Sequence, residues 1–110
     1  MTLDFDKLEE TVLPHFKGGE KEVSARMFAD ERNRIMRATL KPGASIGMHV
    51  HDISSEIVYV LQGCATVLEE GGEHTLTAGM CHYCPKGESH SVINRGEEDL
   101  LLFAVVPQQL

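Results

Sequence analysis

The sequence predicts an all-β domain folded as an antiparallel barrel, and three observations carry that expectation. Stretches of strand length alternate apolar and polar side chains, the period of a half-buried strand. Gly, Pro, Asp and Asn punctuate them at short intervals, which is turn chemistry. Ten glycines against only 5% aromatic residues suit a turn-rich β structure better than packed helices. With 110 residues, one domain over 1–110 is expected, large enough for a single core and too small for two.

The elements follow in order. Residues 4–13 bring Phe5, Leu8 and Val12 near one face of a helix, so the N-terminal segment is expected to be a short helix or irregular. Pro14 and Gly18-Gly19 end it. Residues 22–29 and 34–40 alternate as strands around the polar turn Asp30-Glu31-Arg32-Asn33, and Lys41-Pro42-Gly43 turns the chain again. In the second of these strands Met36, Ala38 and Leu40 share a face. Further strands are expected over 47–51, 56–62, 64–69, 73–77, 80–84, 90–94 and 100–106, with a hairpin signal at Gly71-Gly72. Wound as a jelly roll, such strands make a barrel with an open mouth.

Composition excludes several roles. Ten Lys plus Arg against 17 Asp plus Glu give a net charge of −7, which repels phosphate backbones, so nucleic acid is not an expected partner. No apolar run approaches a membrane span, so no membrane partner is expected either. The first ten residues lack the basic end and apolar run of a signal peptide, and a cytoplasmic location is the expectation. Three cysteines, Cys64, Cys81 and Cys84, are an odd set for a disulfide framework.

The chemistry concentrates in two glycine-started stretches, residues 43–63 and 79–94. In the first, His49 and His51 stand two apart on a strand and therefore point to one face. Glu56 follows a short polar turn, so a hairpin can fold its carboxylate back beside them. His90 in the second stretch is the fourth candidate. Three imidazoles and a carboxylate on one wall suit a divalent transition metal (Fe, Mn, Ni, Co, Cu or Zn) rather than calcium. Four protein ligands around an octahedral ion leave two adjacent positions for water, dioxygen or a bidentate molecule.

These residues also carry a family resemblance. Gly43, five residues, His49-x-His51, four residues, Glu56, six residues and Gly63 match the first motif of the cupins. Gly79, five residues, Pro85-x-Gly87, two residues, His90, three residues and Asn94 match the second. The chain thus resembles a small single-domain cupin. The resemblance implies a jelly-roll barrel whose metal is held by His49, His51, Glu56 and His90, and it makes a homodimer the expected assembly. Met80 stands where many members have an acidic residue, a position that is not a ligand.

Around the ligands, Met36, Ala38, Val58, Val60, Cys84 and Val92 are expected to wall the pocket, with Met48 and Phe103 of uncertain facing. His82 and Cys84 share one face of their strand and Cys81 and Tyr83 the other; alternation alone does not say which face is inner. Facing inward, His82 would be the candidate catalytic group, moving a proton or touching substrate. Tyr59 is expected on the outer face, His15 and His74 in solvent, and Arg37 in a surface ion pair unless it faces in to bind a carboxylate. Two functions follow: a metalloenzyme of dioxygenase, decarboxylase or isomerase type acting on a small polar organic molecule, or a non-catalytic module that binds or senses a small molecule or sugar.

Overall fold

Alternation becomes ten strands in the computed structural model, which describes residues 1–109. They are β1 (Glu10–Pro14), β2 (Glu22–Ala29), β3 (Asn33–Leu40), β4 (Ser45–Val50), β5 (Glu56–Gln62), β6 (Cys64–Glu69), β7 (Gly72–Thr77), β8 (Cys81–Cys84), β9 (Ser89–Ile93) and β10 (Leu100–Pro107). One antiparallel sheet runs β1-β2-β3-β10-β5-β8 and the other β4-β9-β6-β7. The late strand β10 lies between β3 and β5, and β9 between β4 and β6, which is the crossed connectivity of a jelly roll. The sheets face each other without a ladder closing them into a continuous barrel among the described residues.

The inner faces make the core. Along β10 the residues Leu100, Leu102, Ala104 and Val106 are buried while their neighbours are not, the signature of a strand with one face on the core. Val23, Ala25, Met36, Ala38, Leu40, Val58, Val60, Ala65, Val67 and Val92 join them from both sheets. Each large aliphatic chain among these contributes about 1.5–3 kcal/mol by leaving water. The alanines Ala25, Ala38, Ala65 and Ala104 are nearly inaccessible to solvent and let the sheets approach closely.

The N-terminus corrects one expectation. Only Phe5–Lys7 turns as a short 3-10 helix, with the Asp4 side chain accepting from the Asp6 amide. Residues 10–14 instead form β1, paired with β2 from Glu10↔Arg26 to Pro14↔Glu22. The edge of β2 offers a ladder that a lone helix of this length cannot match. Val12 is exposed and Leu13 packs on the core, so the helical spacing of apolar residues reflected no helical face. Phe5 meets Phe103 edge-on at 6.0 Å on the outer side of the larger sheet. Elsewhere the strand ends move by a residue or two; the hairpin turns at Glu70-Gly71, leaving Gly72 as the first residue of β7.

Two close backbone approaches shape the mouth and floor of the barrel. At Gly63 (φ 87°) an added Cβ would fall 2.6 Å from the Asp99 carbonyl oxygen, so the turn from β5 to β6 can pass β10 only as glycine. At Gly47 an added Cβ would collide with the Lys17 carbonyl, because the segment after β1 lies directly against β4. That contact brings Phe16 and Lys17 to the barrel mouth beside His49.

Candidate metal centre

His49 lies near the end of β4, His51 just past it, Glu56 opens β5 and His90 is in β9. The β4–β9 ladder sets His49 directly opposite His90, after a register irregularity between Ile46 and His49. The short turn to β5 then returns Glu56 to the same wall. The Nε2 atoms of His49, His51 and His90 lie 3.0–3.2 Å from one another. Glu56 Oε1 is 3.2 Å from His51 Nε2 and 2.8 Å from His90 Nε2. All four ligand atoms fall within 4.8 Å of one another.

This cluster fits a divalent ion on its donor chemistry. Three ring nitrogens cannot all satisfy each other pairwise with in-plane hydrogen bonds, whereas one cation accepts a lone pair from each. Neighbouring ligands on an ion with bonds of ~2.1 Å lie ~3.0–3.4 Å apart, so the spacing would let one ion of this class be shared by the three rings. The outer ring nitrogens are already engaged. His49 Nδ1–H donates to the Gly47 carbonyl at 2.7 Å, which fixes its tautomer and leaves a lone pair on Nε2. His51 Nδ1 meets the Ser54 hydroxyl at 3.0 Å, and His90 Nδ1 meets His82 Nε2 at 3.0 Å. Such outer partners are what hold imidazoles in ligating orientation.

Burial alone pushes the Glu56 carboxyl up, but hydrogen bonds from His51 and His90 outweigh it and bring it down to about 2. Burial pushes the imidazoles of His49 and His82 below their ordinary value. Each therefore binds its proton less readily folded than unfolded, so the stability it contributes is complete above 6.5, the ordinary histidine value, and is lost as pH falls below it. Glu56 acts in the same direction lower down, from 4.5 towards 2. The metal-free protein is accordingly expected to show an unfolding midpoint that falls as the pH drops below 6.5. Thermal melts across that range check this, and a flat midpoint would contradict it.

A cavity of about 200 Å³ opens beside the cluster. Phe16, Met36, Ile46 and Val106 make its apolar walls; Lys17, Arg34, Asp52 and Gln108 make its polar rim. Of the wall residues expected from sequence, Met36 borders it. Ala38, Val58, Val60, Cys84 and Val92 are buried but not on its surface, because alternation selects a face and not a depth along the barrel. Met48 is exposed, Phe103 packs on the outer face, and Tyr59 points outward.

His82 faces inward, opposite Val58 in the β5–β8 ladder, and is 8% exposed. It stands behind His90 rather than on the cavity, so it meets the site only through that ring and touches no reacting space. Cys84 is a core thiol; burial pushes it up to about 11, which leaves it un-ionised. Arg37 pairs with Asp6 at 2.6 Å on the outer face. The basic strand residue at the cavity is Arg34, which alternation places on the face of Met36, Ala38 and Leu40 and which a stricter use of that period would have found. His15 is exposed, with its Nδ1 on the Gly19 carbonyl, while His74 pairs with Glu69 at 2.8 Å.

Known proteins agree with this architecture. A family described as "Cupin domain" matches residues 36–106. An oxalate-binding protein of Thermotoga maritima is 32% identical over 100 residues, covering 86% of this chain and 83% of the relative. A crystal structure of a predicted oxalate decarboxylase from Thermotoga maritima superposes with a TM-score of 0.91 at 29% identity, covering 98% of this chain and 99% of that one. A sugar phosphate isomerase of the cupin superfamily from Silicibacter pomeroyi superposes with a TM-score of 0.81 at 22% identity, over 99% and 76% of the two chains, a likeness of fold.

Proposed function

We propose that this chain, which belongs to the cupin family, holds a divalent transition metal on His49, His51, Glu56 and His90 and acts on a small carboxylate of the size of oxalate. The convergence of three Nε2 atoms and one carboxylate oxygen carries this reading. A bound ion of this class supplies Lewis acidity and, where the metal is redox-active, a route for electrons. The chain's own groups do the rest. Gly47, Ser54 and His82 orient the ligand rings; Phe16, Met36, Ile46 and Val106 exclude water.

Charge supports an anionic ligand. The molecule is acidic overall, yet Lys17 and Arg34 stand at the cavity rim and neither forms an ion pair among the described residues. A cationic rim above a metal cation attracts a carboxylate and aligns its far end. Asp52 is the carboxylate other than Glu56 that borders the cavity, and His82 lies off it, so the supply of proton carriers is small. That favours binding or dioxygenase chemistry over isomerisation, and leaves Asp52 as the cavity group that would have to supply the proton a decarboxylation consumes. The second reading, a module that binds the carboxylate without turning it over, is favoured by what the Thermotoga maritima relative is called.

Calorimetry with the metal-loaded protein tests the proposal. Oxalate is expected to bind only when metal is present, and Arg34→Gln to weaken it by a few-fold to roughly tenfold. Oxalate that binds equally well without metal would remove the reading. Release of carbon dioxide from bound oxalate separates the enzyme from the binding module.

The three free cysteines fit a reducing, cytoplasmic compartment. No helix among the described residues is long and apolar enough to cross a membrane. We also propose self-association through the outer face of β5 and β8, where Ile57, Tyr59, Leu61 and Tyr83 are 40–55% exposed. Sedimentation equilibrium is expected to show a dimer, and a monomer for Tyr59→Glu, Tyr83→Glu. A monomeric parent protein at micromolar concentration would dispose of it.

A further inference from the structure

We propose that His82, backed by Glu69, is the positioning residue that fixes His90 in its ligating tautomer; this rests on the metal reading of His49, His51, Glu56 and His90. When His90 Nε2 ligates an ion in that cluster its Nδ1 must carry the ring proton, and the ring is fully buried. A buried N–H needs an acceptor. The acceptor at hand is His82 Nε2, 3.0 Å away.

The geometry of that contact is specific. The two rings lie 26° from coplanar with centroids 5.2 Å apart. That separation exceeds the 3.0 Å between the nitrogens by about two ring radii, so both nitrogens lie on the line joining the rings. The bond therefore runs in the plane of both imidazoles, along a lone pair, and is a hydrogen bond rather than face-to-face stacking. Cys84, on the same face of β8, donates its thiol to the Glu88 carbonyl at 3.6 Å and takes no part.

For His82 Nε2 to accept, His82 must carry its own proton on Nδ1. That atom faces Glu69 Oε2 at 3.9 Å, and the other oxygen of Glu69 is 2.8 Å from His74 Nε2. One direction of hydrogen bonding thus runs outward from the centre through His90 to His82, and the Glu69 carboxylate stands beyond hydrogen-bond reach, acting on the His82 Nδ1–H by its charge. The other two ligand rings take their outer partners locally, from Gly47 and Ser54. His90 alone takes its partner from the opposite sheet, since β8 belongs to the larger sheet and β9 to the smaller. The His82–His90 bond therefore sets a ligand and ties the two sheets together at the site.

The test uses the full chain, with Co(II) as the probe. His82→Leu removes the acceptor; His82→Gln keeps an amide oxygen near the place of Nε2. Co(II) affinity is expected to fall about 10–100-fold in His82→Leu and to stay within a few-fold of the parent in His82→Gln. In the Zn(II)-loaded protein, the His90 Nδ1–H resonance is expected to be shifted downfield and slow to exchange in the parent and in His82→Gln, and to lose both marks in His82→Leu. Glu69→Ala, at a partly exposed position, is expected to fold normally and bind Co(II) more weakly, by less than His82→Leu; it keeps the test open if His82→Leu fails to fold. Parent-like Co(II) affinity and an unchanged His90 Nδ1–H resonance in His82→Leu would overturn the proposal, as would equal losses in His82→Leu and His82→Gln, the mark of packing alone. A parent protein that binds neither Co(II) nor Zn(II) would instead defeat the metal reading and, with it, the premise of this proposal.

Discussion

The His49→Ala, His90→Ala protein is expected to retain no transition metal after purification, where the parent retains it near stoichiometrically. Two of three converging nitrogens disappear, and the remaining pair, His51 and Glu56, offers one nitrogen and one oxygen. Affinity for an ion built up from four ligands does not survive that loss. The stability readout is as large. Metal at a hundredfold its dissociation constant stabilises the folded parent by about 2.7 kcal/mol, and the variant should gain nothing. Elemental analysis and melts with and without added metal check both halves. A variant that keeps its metal would show that the ion sits elsewhere. Single variants add resolution: His49 is half-buried at the mouth, whereas His90 is fully buried and its removal also leaves a void.

Asn94→Ala is expected to cost about 3 kcal/mol of stability without touching the metal ligands. Asn94 is fully buried. Its side-chain amide donates to the carbonyls of Leu40 and Glu98, both at 2.8 Å, and its oxygen accepts from the Gly96 amide at 2.9 Å. Its backbone exchanges further bonds with Gly43 and Ala44. The side chain thus ties β3 to the turn before β10, while the backbone of the same residue holds the turn before β4, at the end of the barrel away from the metal. Truncation leaves buried carbonyls without a donor, each costing about 1–3 kcal/mol, partly relieved by water. Asn94→Asp should be worse than Asn94→Ala, because a carboxylate would face two carbonyl oxygens in place of a donor. Denaturant melts check the order, and an Asn94→Asp protein as stable as the parent would refute the account.

Much of this site is readable without coordinates, and the unreadable part has a common cause. His49, His51 and Glu56 lie within eight residues, so a strand period and one turn suffice to align them. His90 is 39 residues beyond His51, and only the motif spacing pointed to it; the β4–β9 ladder is what sets it beside the others. The inner face of β8 depends on the β5–β8 register, where His82 falls opposite Val58. A slip of one residue there would turn His82 outward and Tyr83 in. Arg34 and Val106 were within reach of simple alternation, but their place at the mouth depends on how far each strand runs along the barrel. The helix expected over 4–13 failed for the opposite reason: local spacing looked helical, and the free edge of β2 decided otherwise.

The sequence by itself determined the all-β class, the punctuation of the strands and the identity of four metal-ligand candidates, because periodicity, turn residues and motif spacing are local properties. Only the tertiary structure decided how deep each inward residue sits, that Arg34 rather than Arg37 faces the cavity, that His82 lies behind His90, and that Asn94 ties the far end. Those facts depend on ladder registers between strands distant in the chain, and register is settled by the joint burial of both faces, which no single segment encodes.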